Sequence, residues 1–233
     1  MIADNLQRVH GRIVTACAEA GRAPESVRLL AVSKTFPAEA LRAAHAAGQA
    51  AFGENYVQEG LDKIAALADL RGQLEWHCIG PLQSNKTRAV AEQFDWVHSV
   101  DRLKIAQRLS EQRPAQLAPL QVCLQVNVDG GANKSGLAPA DVLALAQAVA
   151  ALPRLRLRGL MAIPEPAPDF GTQRELFLRV TRLYEALRAA GLGLDVLSLG
   201  MSADLEAAVA AGSTLVRVGT AIFGGRPRAP AAA

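Results

Sequence analysis

Arg28-Leu29-Leu30-Ala31-Val32-Ser33-Lys34 is an apolar run that ends in a lysine, and its reading decides the fold. A short run of aliphatic residues bounded by polar ones reads as a strand buried on both faces. Seven more follow: Ala50–Gly53, Trp76–Gly80, Trp96–Ser99, Gln121–Val128, Arg156–Ile163, Asp195–Gly200 and Thr214–Val218. Helical periodicity precedes the first, with Ile2, Leu6, Val9, Ile13, Val14 and Cys17 at three- and four-residue spacing. That helix stops at Gly21 and Pro24. Further helical patterns fall at 37–47, 55–70, 84–93, 101–112, 139–151, 171–190 and 203–211. Pro37, Ser84, Asp101, Pro139 and Ser202 mark their starts.

Strands that alternate with helices pair in parallel through right-handed crossovers. Eight such units in 233 residues predict an α/β fold, a single (β/α)8 TIM barrel with an extra N-terminal helix. An open doubly wound sheet is the competing architecture. No composition shift divides the chain. One domain is expected over residues 1–226, followed by a disordered tail at 227–233, Pro-Arg-Ala-Pro-Ala-Ala-Ala.

Half the residues are hydrophobic and the net charge is only +3, with no basic stripe interleaved with aromatics. This excludes nucleic-acid binding as the primary role. The Met-Ile-Ala-Asp-Asn start shows no secretory signal, and no apolar stretch reaches membrane-spanning length. Cys17, Cys78 and Cys123 are odd in number, widely separated and without a C-x-x-C. The expectation is a soluble, cytoplasmic protein with reduced thiols and no membrane partner.

In such barrels the active face is built just past the C-terminal ends of the strands. Those positions hold Lys34, Glu54-Asn55, the segment Pro81 to Lys86, Asp129 to Gly136, Pro164, Met201-Ser202 and Gly219-Thr220. Glycines, amides, hydroxyls and lysines suit an anionic ligand. The loops after the last two strands are where these barrels hold phosphate. Here they read Ser198-Leu199-Gly200-Met201-Ser202 and Arg217-Val218-Gly219-Thr220. Each loop alone reads equally as a helix cap and a turn. Opposite them stands Lys34, one of only five lysines in an arginine-rich chain. A desolvated lysine can lose its proton and attack a carbonyl, which arginine cannot do. A solvated loop lysine is the plainer reading of that position. A phosphate that also carries an aldehyde would satisfy both ends of the site.

Other signals carry nothing. Gly191-Leu192-Gly193 precedes a strand, and Gly131-Ala132-Asn133-Lys134-Ser135 lacks the glycine before lysine of a phosphate-binding loop. His10, His45, His77 and His98 show no metal-ligand spacing, so no metal is expected; His77 and His98 read as packing residues.

Several longer blocks can now be read together: Ala31-Val32-Ser33-Lys34-Thr35, Phe52-Gly53-Glu54-Asn55-Tyr56-Val57-Gln58-Glu59 and Trp76-His77-Cys78-Ile79-Gly80-Pro81-Leu82-Gln83-Ser84-Asn85-Lys86. They are followed by Lys134-Ser135-Gly136, Arg158-Gly159-Leu160-Met161-Ala162-Ile163-Pro164, Ser198-Leu199-Gly200-Met201-Ser202 and Arg217-Val218-Gly219-Thr220-Ala221-Ile222-Phe223-Gly224. With these blocks the chain resembles the pyridoxal phosphate homeostasis proteins, whose fold is similar to the N-terminal barrel domain of alanine racemase. The resemblance covers everything but the tail. It implies pyridoxal 5′-phosphate as cofactor, with Lys34 forming the Schiff base. Met201, Ser202, Gly219 and Thr220 would hold the phosphate, Arg217 would face the pyridine nitrogen, and Asn55 would lie near the ring. Position 36 is Phe here, where members of the family often carry a second basic residue.

The resemblance implies a monomeric carrier or buffer in cellular pyridoxal phosphate homeostasis, with apo-enzymes that use the cofactor as its recipients. An amino-acid racemase is the alternative. Racemases of this fold tolerate an arginine at the ring nitrogen, but they draw a tyrosine base from a second domain. Tyr56 and Tyr184 both fall in helical patterns, and Tyr184 is expected far from the mouth. A Schiff-base aldolase is the third reading; its acid–base carboxylate would have to be Glu54. Lys86 and Lys134 stand open between cofactor contacts and loop lysines.

Overall fold

The repeated strand and helix units close on themselves. In the computed structural model, which describes residues 1–130 and 135–225, the parallel strands run β1 to β8 in sequence order around a closed barrel. They are β1 (Arg28–Val32), β2 (Ala51–Glu54), β3 (Glu75–Cys78), β4 (Trp96–Val100), β5 (Leu120–Gln125), β6 (Leu155–Met161), β7 (Val196–Ser198) and β8 (Leu215–Val218). Closure is made by β1 against β8, in register from Arg28 opposite Leu215 to Ala31 opposite Val218. That pairing excludes the open sheet.

The helices are α1 (Ile2–Glu19), α2 (Ala38–Ala46), α3 (Val57–Ala66), α4 (Thr87–Gln93), α5 (Leu103–Gln112), α6 (Val142–Ala150), α7 (Phe170–Ala189), α8 (Leu205–Ala210) and α9 (Thr220–Phe223). Each strand sends alternate side chains to opposite faces, so there are two cores. The outer core packs Phe52, Trp76, Val97, Leu124 and Leu160 against residues such as Leu6, Leu41, Phe94 and Phe177. The inner core holds Leu30, Val32, Trp96, Cys123, Met161 and Leu215. Lys34 follows Leu30 and Val32 at the same two-residue period, which aims it along the barrel interior toward the mouth.

Differences from the sequence reading are local. The 55–70 pattern splits into α3 and a 3-10 turn at Ala68–Leu70, and Tyr56 stands before α3 in extended backbone, exposed. The helix expected from 203 starts at Leu205, because residues 201–204 form a turn in which Asp204 Oδ1 accepts the Met201 N–H at 2.5 Å. Ser202 therefore caps no helix. Ser84 opens a 3-10 turn and Arg102, not Asp101, precedes α5, neither with a side-chain cap. The short α9 was not expected. The proposed tail and Lys134 lie outside the described residues.

Among the described residues no helix is long and apolar enough to cross a membrane. All three cysteines are free and buried, as the reading of reduced thiols requires.

Candidate functional site

One cavity of about 290 Å³ opens at the C-terminal mouth of the barrel. It is lined by Lys34, Asn55, Met201, Ser202, Arg217, Gly219 and Thr220, so the seven residues that the resemblance implies for the cofactor reach the same space. Val32 and Ile79 give it an apolar floor, while Phe36, Ile163, Ala203 and Gly224 complete the wall. Phe36 stacks on Phe223 at 5.1 Å and makes that side of the cavity an aromatic wall. Lys86 does not line the cavity.

Lys34 is set by a braced turn. Ser33 N–H bonds Gly53 O at 3.0 Å and Phe36 N–H returns to Ser33 O at 3.1 Å. Between them Thr35 sits at φ 69°, a left-handed conformation that a β-branched residue adopts only at a cost of about 1–3 kcal/mol. The Thr35 N–H is held by the Glu59 carboxylate. Behind the turn lies a polar cluster that the sequence did not disclose. Lys63 Nζ donates to Ser33 O, Glu54 Oε1 and Glu59 Oε1, each at 2.7 Å, and Ser33 Oγ donates to Glu54 at 2.6 Å. Burial pushes the Glu54 carboxyl above its ordinary value, and the Lys63 charge opposes that.

Glu54 is therefore committed to supporting β1 and α3, and it does not line the cavity. That removes the carboxylate on which the aldolase reading rested. Lys63→Met should cost about 3–5 kcal/mol, because it strands a buried carboxylate. The double variant Lys63→Met/Glu54→Leu should recover most of that. Urea denaturation of the two variants checks the pair.

The phosphate-type loop is shaped by Gly200, at φ +90° with an added Cβ falling 2.5 Å from that of Ala208. Only glycine turns the chain there without strain. Arg12 on α1 ties the loop down, giving NH2 to Ser202 O at 2.9 Å and pairing Glu206 at 2.8 and 2.9 Å. Met201 lines the cavity, but its N–H belongs to Asp204. Ser202 and Ala203, with Thr220 and Ala221 at the start of α9, are left as the donors at this end, since the Ile222 and Phe223 N–H groups both bond Gly219 O at 2.9 Å.

On the opposite wall, Arg217 is buried, and desolvation brings its guanidinium down to about 10, still charged at pH 7. Below it, His77 and His98 are wholly buried and hydrogen-bonded to one another at 2.9 Å; they pack, as expected, but as polar partners. Burial pushes both imidazoles below the ordinary 6.5, and the Glu75 hydrogen bond works the other way on His77 without prevailing.

Both rings are thus neutral at pH 7. As pH falls below about 6.5 the unfolded chain binds those protons first, so stability is full above that pH and declines below it. The slope should approach about 1.4 kcal/mol per pH unit for His98, which burial holds well below the ordinary value, with a smaller contribution from His77. Urea titrations at descending pH should show this slope, and most of it should be lost in His98→Gln.

Asn55 Oδ1 is buried without a hydrogen-bond partner although Asn55 lines the cavity. An orphaned acceptor beside an amine, a guanidinium and a glycine-hydroxyl loop fits a ligand that brings a hydroxyl, an aldehyde and a phosphate. Tyr184 is remote from this site; its hydroxyl donates to Leu194 O at 3.0 Å, ahead of β7. No group of three or more His, Cys, Asp or Glu among the described residues is placed to hold a metal ion.

Comparison with known proteins shows the family. Residues 5–227 match the family described as alanine racemase, N-terminal domain. The chain is 64% identical to the pyridoxal phosphate homeostasis protein of Pseudomonas aeruginosa, over 97% of this chain and 96% of that one. It is 56% identical to the protein of the same name from Escherichia coli, over 97% of each. Among solved structures, PipY of Synechococcus elongatus with pyridoxal phosphate bound superposes with a TM-score of 0.82 at 40% identity, covering 96% of this chain and 100% of that one. Alanine racemase from Corynebacterium glutamicum shares the fold at a TM-score of 0.67 and 21% identity, with 99% of this chain covering 62% of that one. The chain belongs to the alanine racemase N-terminal domain family and, within it, to the pyridoxal phosphate homeostasis proteins.

Proposed function

We propose that this protein binds pyridoxal 5′-phosphate at the barrel mouth, holds it as a Schiff base on Lys34, and serves in its homeostasis as a carrier more than as a catalyst. The observation that carries this is the convergence of Lys34, Asn55, Arg217 and the Gly219-Thr220 loop on one cavity. When bound, the cofactor supplies an aldehyde carbon and an electron-accepting pyridine ring.

Each residue then has a distinct task. Lys34 Nζ would supply the amine for the aldehyde carbon, with water as the group released. Ser202, Gly219 and Thr220 hold the phosphate through hydroxyl and backbone donors, with Met201 closing that end by side-chain contact. Asn55 Oδ1 accepts from the ring hydroxyl. Arg217 donates toward the ring nitrogen. A fixed cation there favours the unprotonated nitrogen, which weakens the ring as an electron sink and supports carriage over chemistry at an amino-acid α-carbon. Val32, Ile79 and Phe36 exclude water from the lysine. Residues 1–226 act as one binding domain, monomeric and cytoplasmic, with apo-enzymes that need the cofactor as recipients.

Titration with pyridoxal phosphate followed by borohydride reduction tests the reading. The expected result is a visible absorbance band and, after digestion, one modified peptide carrying Lys34. Incubation of the loaded protein with L- and D-alanine in deuterium oxide should give no exchange of the α-hydrogen. Exchange at a catalytic rate would favour a racemase instead.

A further inference from the structure

Arg217 is a buried cation with no ion pair among the described residues; Asp204 acts on it only from beyond ion-pair distance, and such burial is costly unless further compensated. Its NH1 donates to Ser198 O at 2.6 Å and to Ser198 Oγ at 2.8 Å, and NH2 donates to Ala162 O at 3.0 Å. A guanidinium can only donate. Ser198 Oγ therefore accepts from it, and the single serine hydrogen is free for His98 Nδ1 at 2.9 Å.

A neutral imidazole that accepts at Nδ1 carries its hydrogen on Nε2. His98 Nε2–H then points at His77 Nδ1, 2.9 Å away. By the same rule His77 gives Nε2–H to Glu75 Oε1 at 2.8 Å. The Glu75 carboxylate, which can only accept, thus fixes every link for two neutral rings, and all donors point away from Arg217. The chain crosses the barrel from β8 through β7 and β4 to β3. It ends at the N-terminal rim, where Arg28 also holds Glu75 at 2.9 Å.

We propose that Glu75 is a second, remote counter-charge of Arg217 beside Asp204, and that Ser198, His98 and His77 are positioning residues joining Glu75 to the arginine through one oriented hydrogen-bond chain. Aligned hydrogen bonds polarise one another in a low-dielectric interior. The carboxylate at one end of the barrel thereby holds the guanidinium charged and fixed in plane at the other, with its remaining N–H groups turned to the cavity. Burial of both imidazoles, which keeps them neutral, supports this arrangement. The consequence for pyridoxal phosphate rests on the function proposed above: the far rim of the barrel tunes how strongly Arg217 donates to the bound ring.

The experiment has two arms on the full chain. In the ligand-free protein, ¹⁵N-histidine NMR at pH 7 should show His77 and His98 both neutral and both protonated on Nε2. Ser198→Ala should disturb the His98 tautomer. An Nδ1–H tautomer in the wild type at either ring would overturn the chain, whatever ligand the protein takes. In the second arm, pyridoxal phosphate affinity and absorbance maximum are measured for Glu75→Gln, Ser198→Ala and the double variant.

Glu75→Gln keeps an acceptor for His77 and removes the charge. It should weaken binding about three- to tenfold and move the absorbance maximum in the same direction as Ser198→Ala. The double variant should be no worse than the stronger single one, since both cut one chain. Arg28→Gln disturbs the same rim without cutting the chain and should leave the absorbance maximum in place. Multiplicative losses, or equal effects of Glu75→Gln and Arg28→Gln, would reduce Glu75 to a structural rim residue. No band in wild type with the expected tautomers would instead retire the cofactor reading and leave the chain standing.

Discussion

Lys34→Ala should abolish the visible absorbance band that pyridoxal phosphate produces in the wild type, with affinity falling about a hundredfold or more, ~3 kcal/mol. Neither Lys63 nor Lys86 is placed to substitute. Lys63 is held by Ser33 O, Glu54 and Glu59, and Lys86 lies off the cavity. Lys34→Arg should fail in the same way, because it keeps the charge but provides no amine nucleophile. Residual binding should persist through Ser202, Gly219 and Thr220, so fluorescence or calorimetric titration should still detect the phosphate, and inorganic phosphate should compete for it. Borohydride reduction should leave the Ala variant unmodified. A reducible adduct at wild-type yield in that variant would remove Lys34 from the site.

Gly159→Ala should prevent accumulation of folded protein, or lower the melting temperature by about 10 °C or more. Gly159 lies opposite Val196 where β6 pairs with β7. An added Cβ would fall 1.6 Å from Val196 O and 2.7 Å from its carbonyl carbon. Those are backbone atoms of the adjacent strand, so no side-chain rotation relieves the overlap. The register of β5 against β6 shifts at the same place, from Val122 opposite Leu157 to Cys123 opposite Gly159. That leaves Arg158 as an extra residue, its guanidinium 4.8 Å over the Trp96 ring. The methyl group would have to push β7 outward, and β7 carries Ser198 and the loop to Ser202. A cost of about 4 kcal/mol, at the upper end for single substitutions, corresponds to that shift in a chain of this size. Thermal denaturation followed by far-UV circular dichroism checks it.

Much of this protein was legible in its residues. The run Leu29-Leu30-Ala31-Val32 lies within β1, because a strand buried on both faces needs an unbroken apolar run whatever surrounds it. Lys34, Ser202 and Thr220 could be brought to one face by topology alone, since every parallel strand of such a barrel ends at the same rim. Helix starts fared worse. Ser202 looks like a cap by composition, but Asp204 takes the Met201 N–H and delays α8 to Leu205. Which of two nearby polar side chains bonds a turn depends on backbone angles that composition leaves open.

What the sequence determined by itself was the order and period of its elements, hence the barrel and the residues at its mouth. These follow from steric and solvation preferences acting over a few residues at a time. Only the tertiary structure decided which polar groups inside share hydrogens. His98 meets Ser198 across 100 residues, Arg12 meets Ser202 across 190, and Lys63 reaches back 30 to Ser33. Such partners are chosen by barrel closure, which places side chains from distant strands within 3 Å in a dry interior. There an unpaired polar group is costly enough that the pairing becomes obligatory.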